Sequence, residues 1–433
     1  MKTEHFIARK MAFSADASFT KVIIKIAMAA IAISITVMIL TTAIISGFKK
    51  EITNKIFGFW GHIHITDSNI NRNFELTPIS KDGEFVEQIK EIRNIEYQSE
   101  VEFLGVKWQG KVQTKTTYGG VKGVHPYIIL PGVLSTKEHF HGILLKGIDK
   151  DYDWQKMKNF ITDGQSIKFI NNQPSDDLLI SKNIATKLGI NVGDKVVISF
   201  VRDRVQIKKR FQVCGIYNTG LEEYDRRFGL ADLAKLQEIL TWSQNDVQGM
   251  EVDVDDVRDL DVIADYIYYE VLPQKYFAES IRSKFPSIFE WLSLQNINER
   301  IIIQLMILVG IINMITVLLI LILERTQMIG TLKSLGMSNW GIRKIFIYNA
   351  GYIVFFGLIF GNILGLGIAY LQAHFQFIRL DEANYYLNTA PIDINYWTII
   401  ILNIATLVIT VVFLVIPTVL VTRISPVKAL KFE

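Results

Sequence analysis

The stretch Ile301–Glu433 constrains this chain most, because it holds three apolar runs of membrane-spanning length. Ile301–Leu323 is apolar apart from Gln304, Asn313 and Thr316, Ile345–Leu371 is apolar and rich in glycine, and Trp397–Leu420 is apolar up to Pro417. A helix needs roughly 20 apolar residues to cross a hydrocarbon core. A fourth run, Ile26–Ile45, follows Lys21 and Lys25. A signal peptide also starts basic, but its apolar core is only about 7–15 residues long and ends at a small-residue cleavage site. The run is longer than that and shows no such site, so it reads as a retained anchor.

Half of the 433 residues are hydrophobic and 21% are charged, with a mean hydropathy of +0.26. That balance suits a few spans joined to a large aqueous domain. A net charge of +3 gives no reason to expect nucleic acid as a partner. The single cysteine, Cys214, excludes an intrachain disulfide and sits in an apolar strand-like run, where it reads as a small buried residue.

Residues 46–300 carry no span. Strand-like runs at Gly61–Thr66, Val101–Trp108, Lys195–Val201, Phe211–Tyr217 and Gly249–Val254 alternate with helical patterns at Glu84–Ile92, Asn183–Leu188, Leu230–Leu240 and Val262–Tyr269. Gly189 is placed to cap Asn183–Leu188, and Gly193-Asp194 to turn into the next strand. Residues 276–300 read as helix broken near Pro286. The expected fold is an integral membrane protein of four transmembrane helices, with a large α+β domain inserted between the first and second.

Short-loop charge orients it. Lys2, Arg9, Lys10, Lys21 and Lys25 precede the first span; Arg325, Lys333, Arg343 and Lys344 lie in the link; Arg423, Lys428 and Lys431 follow the last span. The loop 372–396 has Arg379 against Asp381, Glu382 and Asp393. Positive charge inside places both termini and the link in the cytoplasm. The expected segments are 1–20 (cytoplasmic or interfacial), spans 21–47, 299–323, 345–371 and 397–421, an outer domain 48–298, a cytoplasmic link 324–344, an outer loop 372–396 and a cytoplasmic tail 422–433. Residues 4–13 suit either a short interfacial helix or a disordered tail.

The sequence has no Gly-x-x-x-x-Gly-Lys-Ser/Thr loop, no hydrolase nucleophile motif and no His-Glu-x-x-His, so neither an ATPase nor a hydrolase is written here. His62/His64 and His139/His141 share strand faces and offer paired ligands, but surface polarity explains that spacing as well; no metal or cofactor is expected. No acidic residue lies mid-span, which leaves a proton relay without support. Asn313, Asn349, Asn362 and Asn403 read as helix–helix hydrogen bonds. Gly357, Gly361 and Gly365 recur every four residues and form a smooth stripe, for packing against another span or against a second copy. In the link, Met328, Ile329, Leu332 and Leu335 recur at helical spacing, flanked by Glu324, Arg325 and Lys333. Gly336 is placed to end that helix, and Ser338 or Asn339 to cap the next.

These residues, taken in order, resemble a known family. Phe6-Ile-Ala-Arg9, Ile44-Ile-Ser-Gly-Phe-Lys-Lys-Glu51 and Asn54-Lys-Ile-Phe-Gly58 match at the first span. Leu179-Ile-Ser, Leu188-Gly-Ile-Asn-Val-Gly-Asp194 and Phe211-Gln-Val-Cys-Gly-Ile216 match in the outer domain. Glu324-Arg325, Leu332-Lys-Ser-Leu-Gly336, Pro417, Arg423, Ser425-Pro426-Val and Ala429-Leu-Lys-Phe-Glu433 match after it. The chain resembles the FtsX/MacB-type (type VII) ABC transporter permeases, most closely the lipoprotein-releasing LolC/LolE group. The resemblance implies a MacB-like periplasmic core at 48–298 and an FtsX-like permease domain at 299–426. It implies a bacterial inner-membrane protein that is not itself an enzyme, with a separate LolD-like ATP-binding subunit coupled through Glu324–Gly336. Its other implied partners are a second permease subunit (homo- or heterodimer), a lipoprotein substrate and membrane lipids, with a periplasmic carrier left open. Relatives that recruit that carrier use a long protruding hairpin; the corresponding Ser199–Arg210 is too short for a Pro-rich hook. Two other readings stay open: an FtsX-like regulator of a cell-wall hydrolase, and a MacB-like efflux permease.

The charge asymmetry generates one direct test. Reporter fusions at Asp151 and Glu433 are expected to read outside and inside respectively; the same side for both refutes the four-span arrangement.

Overall fold

The computed structural model describes residues 4–8, 19–68, 76–103, 106–136, 139–158, 160–169, 173–202, 204–381 and 385–423. It divides into a helical unit (1–51, 290–380 and 389–433) and an α+β unit (52–289 and 381–388).

Among the described residues, four helices are long and apolar enough to cross a membrane. The helical unit is built on α1 (Phe19–Trp60), α2 (Pro286–Glu324), a short α3 (Thr326–Ser334), α4 (Asn339–Phe375) and α5 (Tyr396–Leu414). Their shared core includes Ile31, Ile35, Ile39, Met314, Leu318, Leu321, Ile342, Phe346 and Ile353. At 42 and 39 residues, α1 and α2 far exceed one span. The divisions after Glu51 and Phe289 therefore fall inside unbroken helices.

The α+β unit is organised by a 10-stranded sheet. Its strands are β1 (Ile63–Asp67), β2 (Val121–Ser135), β3 (Phe140–Ile148), β4 (Ile161–Gly164), β5 (Asp177–Ser181), β6 (Lys195–Arg202), β7 (Val205–Tyr217), β8 (Phe228–Asp232), β9 (Gly249–Val254) and β10 (Tyr276–Ser280). The order is β10-β1-β9-β2-β3-β8-β5-β7-β4, and β6 pairs with both β7 and β2. The path β2-β3-β8-β5-β7-β6 thus returns to β2 and closes a ring of strands, which removes its edges. Local chemistry punctuates it. The Ser181 hydroxyl accepts from Ile184 N at 3.1 Å to start the helix Lys182–Leu188, and Gly189, at φ 66°, ends it.

Several segments differ from the sequence reading. Val101–Trp108 is not one strand: Glu96–Phe103 and Val106–Thr116 pair as a two-stranded sheet of their own. The front of Leu230–Leu240 belongs to β8, and its helix starts at Leu233 because Asp232 accepts from Ala234 N. Tyr276–Ser280 is an edge strand paired antiparallel with β1, not helix, and Pro286 opens α2 rather than breaking it. The β6–β7 hairpin pairs Arg202 with Val205, so its loop is two residues long. Residues 9–13 of the proposed interfacial helix and the C-terminal signature beyond Arg423 lie outside the described residues. Glu4–Ala8 is helical, with His5 against Tyr348 and Tyr352 of α4.

The His62/His64 pair is buried, not surface polarity, because β1 lies between β10 and β9. His62 Nδ1 lies 2.9 Å from Asp253 Oδ1. His64 Nε2 donates to Trp60 O at 2.6 Å, and its Nδ1 accepts from Lys284 Nζ at 2.6 Å. Burial, and then Lys284, holds His64 well below the usual imidazole range, so it is neutral. Lys146, fully buried on β3, pairs with Glu251 Oε1 at 2.7 Å and donates to Phe59 O.

Burial pushes the Glu251 carboxyl up to about 7, against the pull of Lys146. A carboxyl raised on folding binds its proton more tightly in the native state. Its contribution therefore favours folding at low pH and is lost as pH rises from the ordinary carboxylate range through about 7. Comparing Glu251→Gln with the parent by thermal unfolding, the variant is expected to gain relative stability between pH 5 and pH 8, roughly the window set by that shift. A difference that is flat or falls with pH refutes this assignment.

Candidate coupling segment and helix-packing seam

α2 stops at Glu324 and α3 starts at Thr326. The Thr326 hydroxyl donates to Leu323 O at 2.5 Å, competing for a carbonyl of the preceding turn. At the far end, Gly336 N donates to Lys333 O and Met337 N to Leu332 O, both at 3.0 Å, with Gly336 at φ 87°. This paired closure needs a left-handed residue, which glycine supplies without a Cβ clash. Ser338 then accepts from Gly341 N at 3.1 Å and opens α4. The Gly336 stop and the Ser338 cap stand where the spacing predicts them.

The apolar residues of the link do not share one outward face. Ile329 is fully buried, and Met328 and Leu332 pack half-buried against the core of the helical unit. Leu335 is 78% exposed, as is 52% of Trp340 just beyond. The physical reason is proximity: the nearest apolar surface to a short link is its own bundle, and each side chain buried there contributes about 1.5–3 kcal/mol. Lys333 is also turned inward, with Nζ donating to Val421 O at 2.8 Å. Arg325 is half-buried, while Glu324 and Gly336 are exposed. The surface that remains combines Gln327, Thr331, Ser334 and Leu335, at helical spacing, with Asn339 and Trp340.

The glycine stripe packs against α1. A Cβ at Gly357 would lie 2.8 Å from Ile31 Cβ, one at Gly361 2.8 Å from both Ala32 O and Ile35 Cβ, and one at Gly365 3.2 Å from Ile39 Cβ. Isoleucines every four residues thus fill a groove of glycines every four residues. The Thr36 hydroxyl lies 3.1 Å from Gly361 O. Asn362 and Asn403 exchange amide hydrogen bonds of 2.7 and 3.0 Å between α4 and α5. Asn349 differs from expectation: it is buried, and neither amide atom has a hydrogen-bond partner among the described residues.

One clasp was not visible in the sequence. Gly47 of α1 would meet Pro391 O at 2.6 Å if it carried a Cβ, and Asp393 N donates to Ala43 O at 3.0 Å. Asp393 also accepts from Ser46 at 2.9 Å and Lys50 at 2.6 Å. Gly47, a small residue at the end of an apolar run, was the available signal. Among the described residues, no three His, Cys, Asp or Glu side chains converge as a metal site.

The MacB-like periplasmic core domain profile matches residues 26–267, more than half of the chain, and the FtsX-like permease C-terminal profile matches residues 300–426. The chain belongs to this family of ABC transporter permeases. The "Lipoprotein-releasing system transmembrane protein LolC" of Xylella fastidiosa (strain Temecula1 / ATCC 700964) is 23% identical over 425 residues, 93% of this chain and 92% of that one. The LolC of Neisseria meningitidis serogroup B is 20% identical over 430 residues, covering 96% and 95%. The LolE of Haemophilus influenzae is 21% identical over 350 residues, covering 75% and 80%. Among solved structures, the extracellular domain of the noncanonic ABC-type transporter YknZ aligns at a TM-score of 0.31 and 15% identity, covering 50% of this chain and 98% of that one. Family and spans together make this an inner-membrane protein with a large extracytoplasmic domain.

Gly361→Leu tests the seam. With backbone and β-carbon contacts at 2.8 Å, the added side chain has to push α1 and α4 apart. A loss of about 1–3 kcal/mol is expected, read as a lower unfolding temperature in detergent. Gly367→Leu, where a Cβ meets nothing within 4 Å, is expected to be near neutral. Equal effects at both positions refute the packing role.

Proposed function

We propose that this chain is a permease subunit which releases lipoproteins from the outer leaflet of the inner membrane, driven by ATP hydrolysis on a separate ATP-binding subunit. The names of the relatives support the substrate class. The observation that carries the coupling is the exposed pair Leu335 and Trp340, held beside the Gly336 turn on a link whose other apolar residues are fixed in the bundle. A push on that surface acts on a packed body rather than on a loose loop. Glu324, at the α2 end, flanks the same surface, while Lys333 positions the link from within.

In this reading both termini and 324–344 face the cytoplasm, and 48–298 and 372–396 face outward. α1 and α2 carry motion from the link to the outer domain. Exposed apolar residues Ile26 and Ile33 on α1, with Leu305, Leu308 and Ile312 on α2, are available to acyl chains. The Ile31, Ile35 and Ile39 face of α1 is already used by the glycine stripe. A second permease subunit, identical or homologous, completes the assembly.

The test is purification of the intact complex from its own membrane. Acylated lipoprotein and an ATP-binding subunit are expected to co-purify with the chain, whereas a cell-wall hydrolase in place of lipoprotein overturns the reading. Leu335→Asp is expected to weaken retention of the ATP-binding subunit at least tenfold, since burying one leucine is worth about 1.5–3 kcal/mol. Leu332→Asp is a poor probe of that contact, because Leu332 faces its own bundle. An undiminished ATP-binding subunit on a folded Leu335→Asp chain refutes the proposed surface.

A further inference from the structure

The last four carbonyls of a helix have no partner inside it. In α1 these belong to Phe57, Gly58, Phe59 and Trp60, and all four are taken. Phe57 O accepts from Gly61 N at 3.0 Å, and Gly58 O from the Tyr152 hydroxyl at 3.0 Å. Phe59 O accepts from Lys146 Nζ, and Trp60 O from His64 Nε2 at 2.6 Å. Three of the four donors are side chains, drawn from β1, β3 and the turn after β3. A helix end left to water frays. This one is closed off, with Phe59, Trp60, Lys146 and His64 all at most 3% exposed.

The same cluster reaches the approach to α2. His64 Nδ1 accepts from Lys284 Nζ, on the short helix Ile281–Lys284, two residues before Pro286 opens α2. One neutral imidazole therefore bridges Trp60 O, at the end of α1, to the segment that leads into α2. His62 O adds a second tie by accepting from Ile281 N at 2.9 Å.

Stability alone does not call for this chemistry. A buried ion pair is usually no better than apolar residues of the same volume. Lys146 Nζ lies 2.7 Å from Glu251 Oε1, donates to Phe59 O and faces the rings of Phe59 and Trp60, each 5.2 Å away. What such a cluster adds over an apolar plug is direction. Each bond fixes the axial position and the rotation of the α1 end on β1, β3 and β9.

We propose that Lys146, His64 and Lys284 are positioning residues that clamp the end of α1 and the approach to α2 to the sheet of the outer domain, so that motion of these helices is delivered to it. The inference rests on the proposed permease function. It names the place where helix motion enters the domain.

The test uses the whole complex in lipid. Lys146→Met is combined with Glu251→Gln so that no lone carboxylate is left buried, and Lys284→Met is made separately in case the double variant fails to fold. Hydrogen exchange of residues 57–64 and β9 is compared without nucleotide and with a non-hydrolysable ATP analogue. In the parent, nucleotide is expected to change exchange at these amides. In the variants, ATP hydrolysis and lipoprotein retention are expected to hold within about twofold, while the nucleotide-dependent change is lost and release falls about tenfold. A folded variant with the parent's release and exchange response overturns the clamp. So does a parallel fall of hydrolysis and release, or a parent whose amides do not respond to nucleotide. A parent that responds but releases no lipoprotein overturns the transport reading and leaves the clamp standing.

Discussion

The helical unit depends on the close approach of α1 and α4 at Gly361, where backbone meets backbone with no room for a side chain. Between hydrocarbon tails there is no hydrophobic drive to bring helices together, because lipid is as apolar as leucine. Contact has to come from shape. The glycines supply a groove, isoleucines at the same period fill it, and Thr36 adds a polar contact to Gly361 O. Asn362 and Asn403 do the equivalent work between α4 and α5 through a reciprocal amide pair. With α1 fixed to α4 and α4 fixed to α5, the link has a packed body to rest on. Ile329 enters that body completely.

For the proposed coupling role, this arrangement matters. A loop that only touched headgroups would absorb a push as local bending. Here α3 is held at three places: its Thr326 start, Ile329 in the core, and Lys333 on the carbonyls of Val421 and Thr422. The residues left facing out are few, and the two large apolar ones, Leu335 and Trp340, flank the tight turn at Gly336. An apolar side chain buried in its own bundle is ordered by folding, whereas Leu335 and Trp340 stay exposed, as the proposed docking of a partner requires.

Much of this was legible in the sequence, and the rest was hidden for identifiable reasons. Span length, the stops at Gly189 and Gly336, the cap at Ser338 and the glycine period are local signals, and the structure uses each of them. Helical periodicity announced an apolar face on the link but carried no information on what covers it, so Met328, Ile329 and Leu332 read as outward. The segment Leu230–Leu240 read as one helix because a short apolar run looks alike in a strand and a helix. The histidines read as surface polarity because their side-chain partners, Asp253 and Lys284, are brought to them by sheet pairing and by a distant segment.

The same distinction explains why the end of α1 could not be foreseen. Phe57–Trp60 carries no side-chain signal for a helix stop beyond Gly61, at φ 68°. Its other caps come from Tyr152, Lys146 and His64, and the first two lie more than 80 residues away in sequence. Long-range capping of this kind forms only once the sheet exists, so it ties the helix to the finished domain rather than to its own neighbours. A local cap would have let α1 end without reference to the sheet. Because Lys146 is itself paired to Glu251 on β9, a shift of the α1 terminus would break an ion pair as well as a hydrogen bond, and both would be broken away from water. Away from water, an unpaired charge is far costlier than a frayed helix end. Under the proposed clamp, a force along α1 would therefore carry the sheet with it rather than fray the helix end.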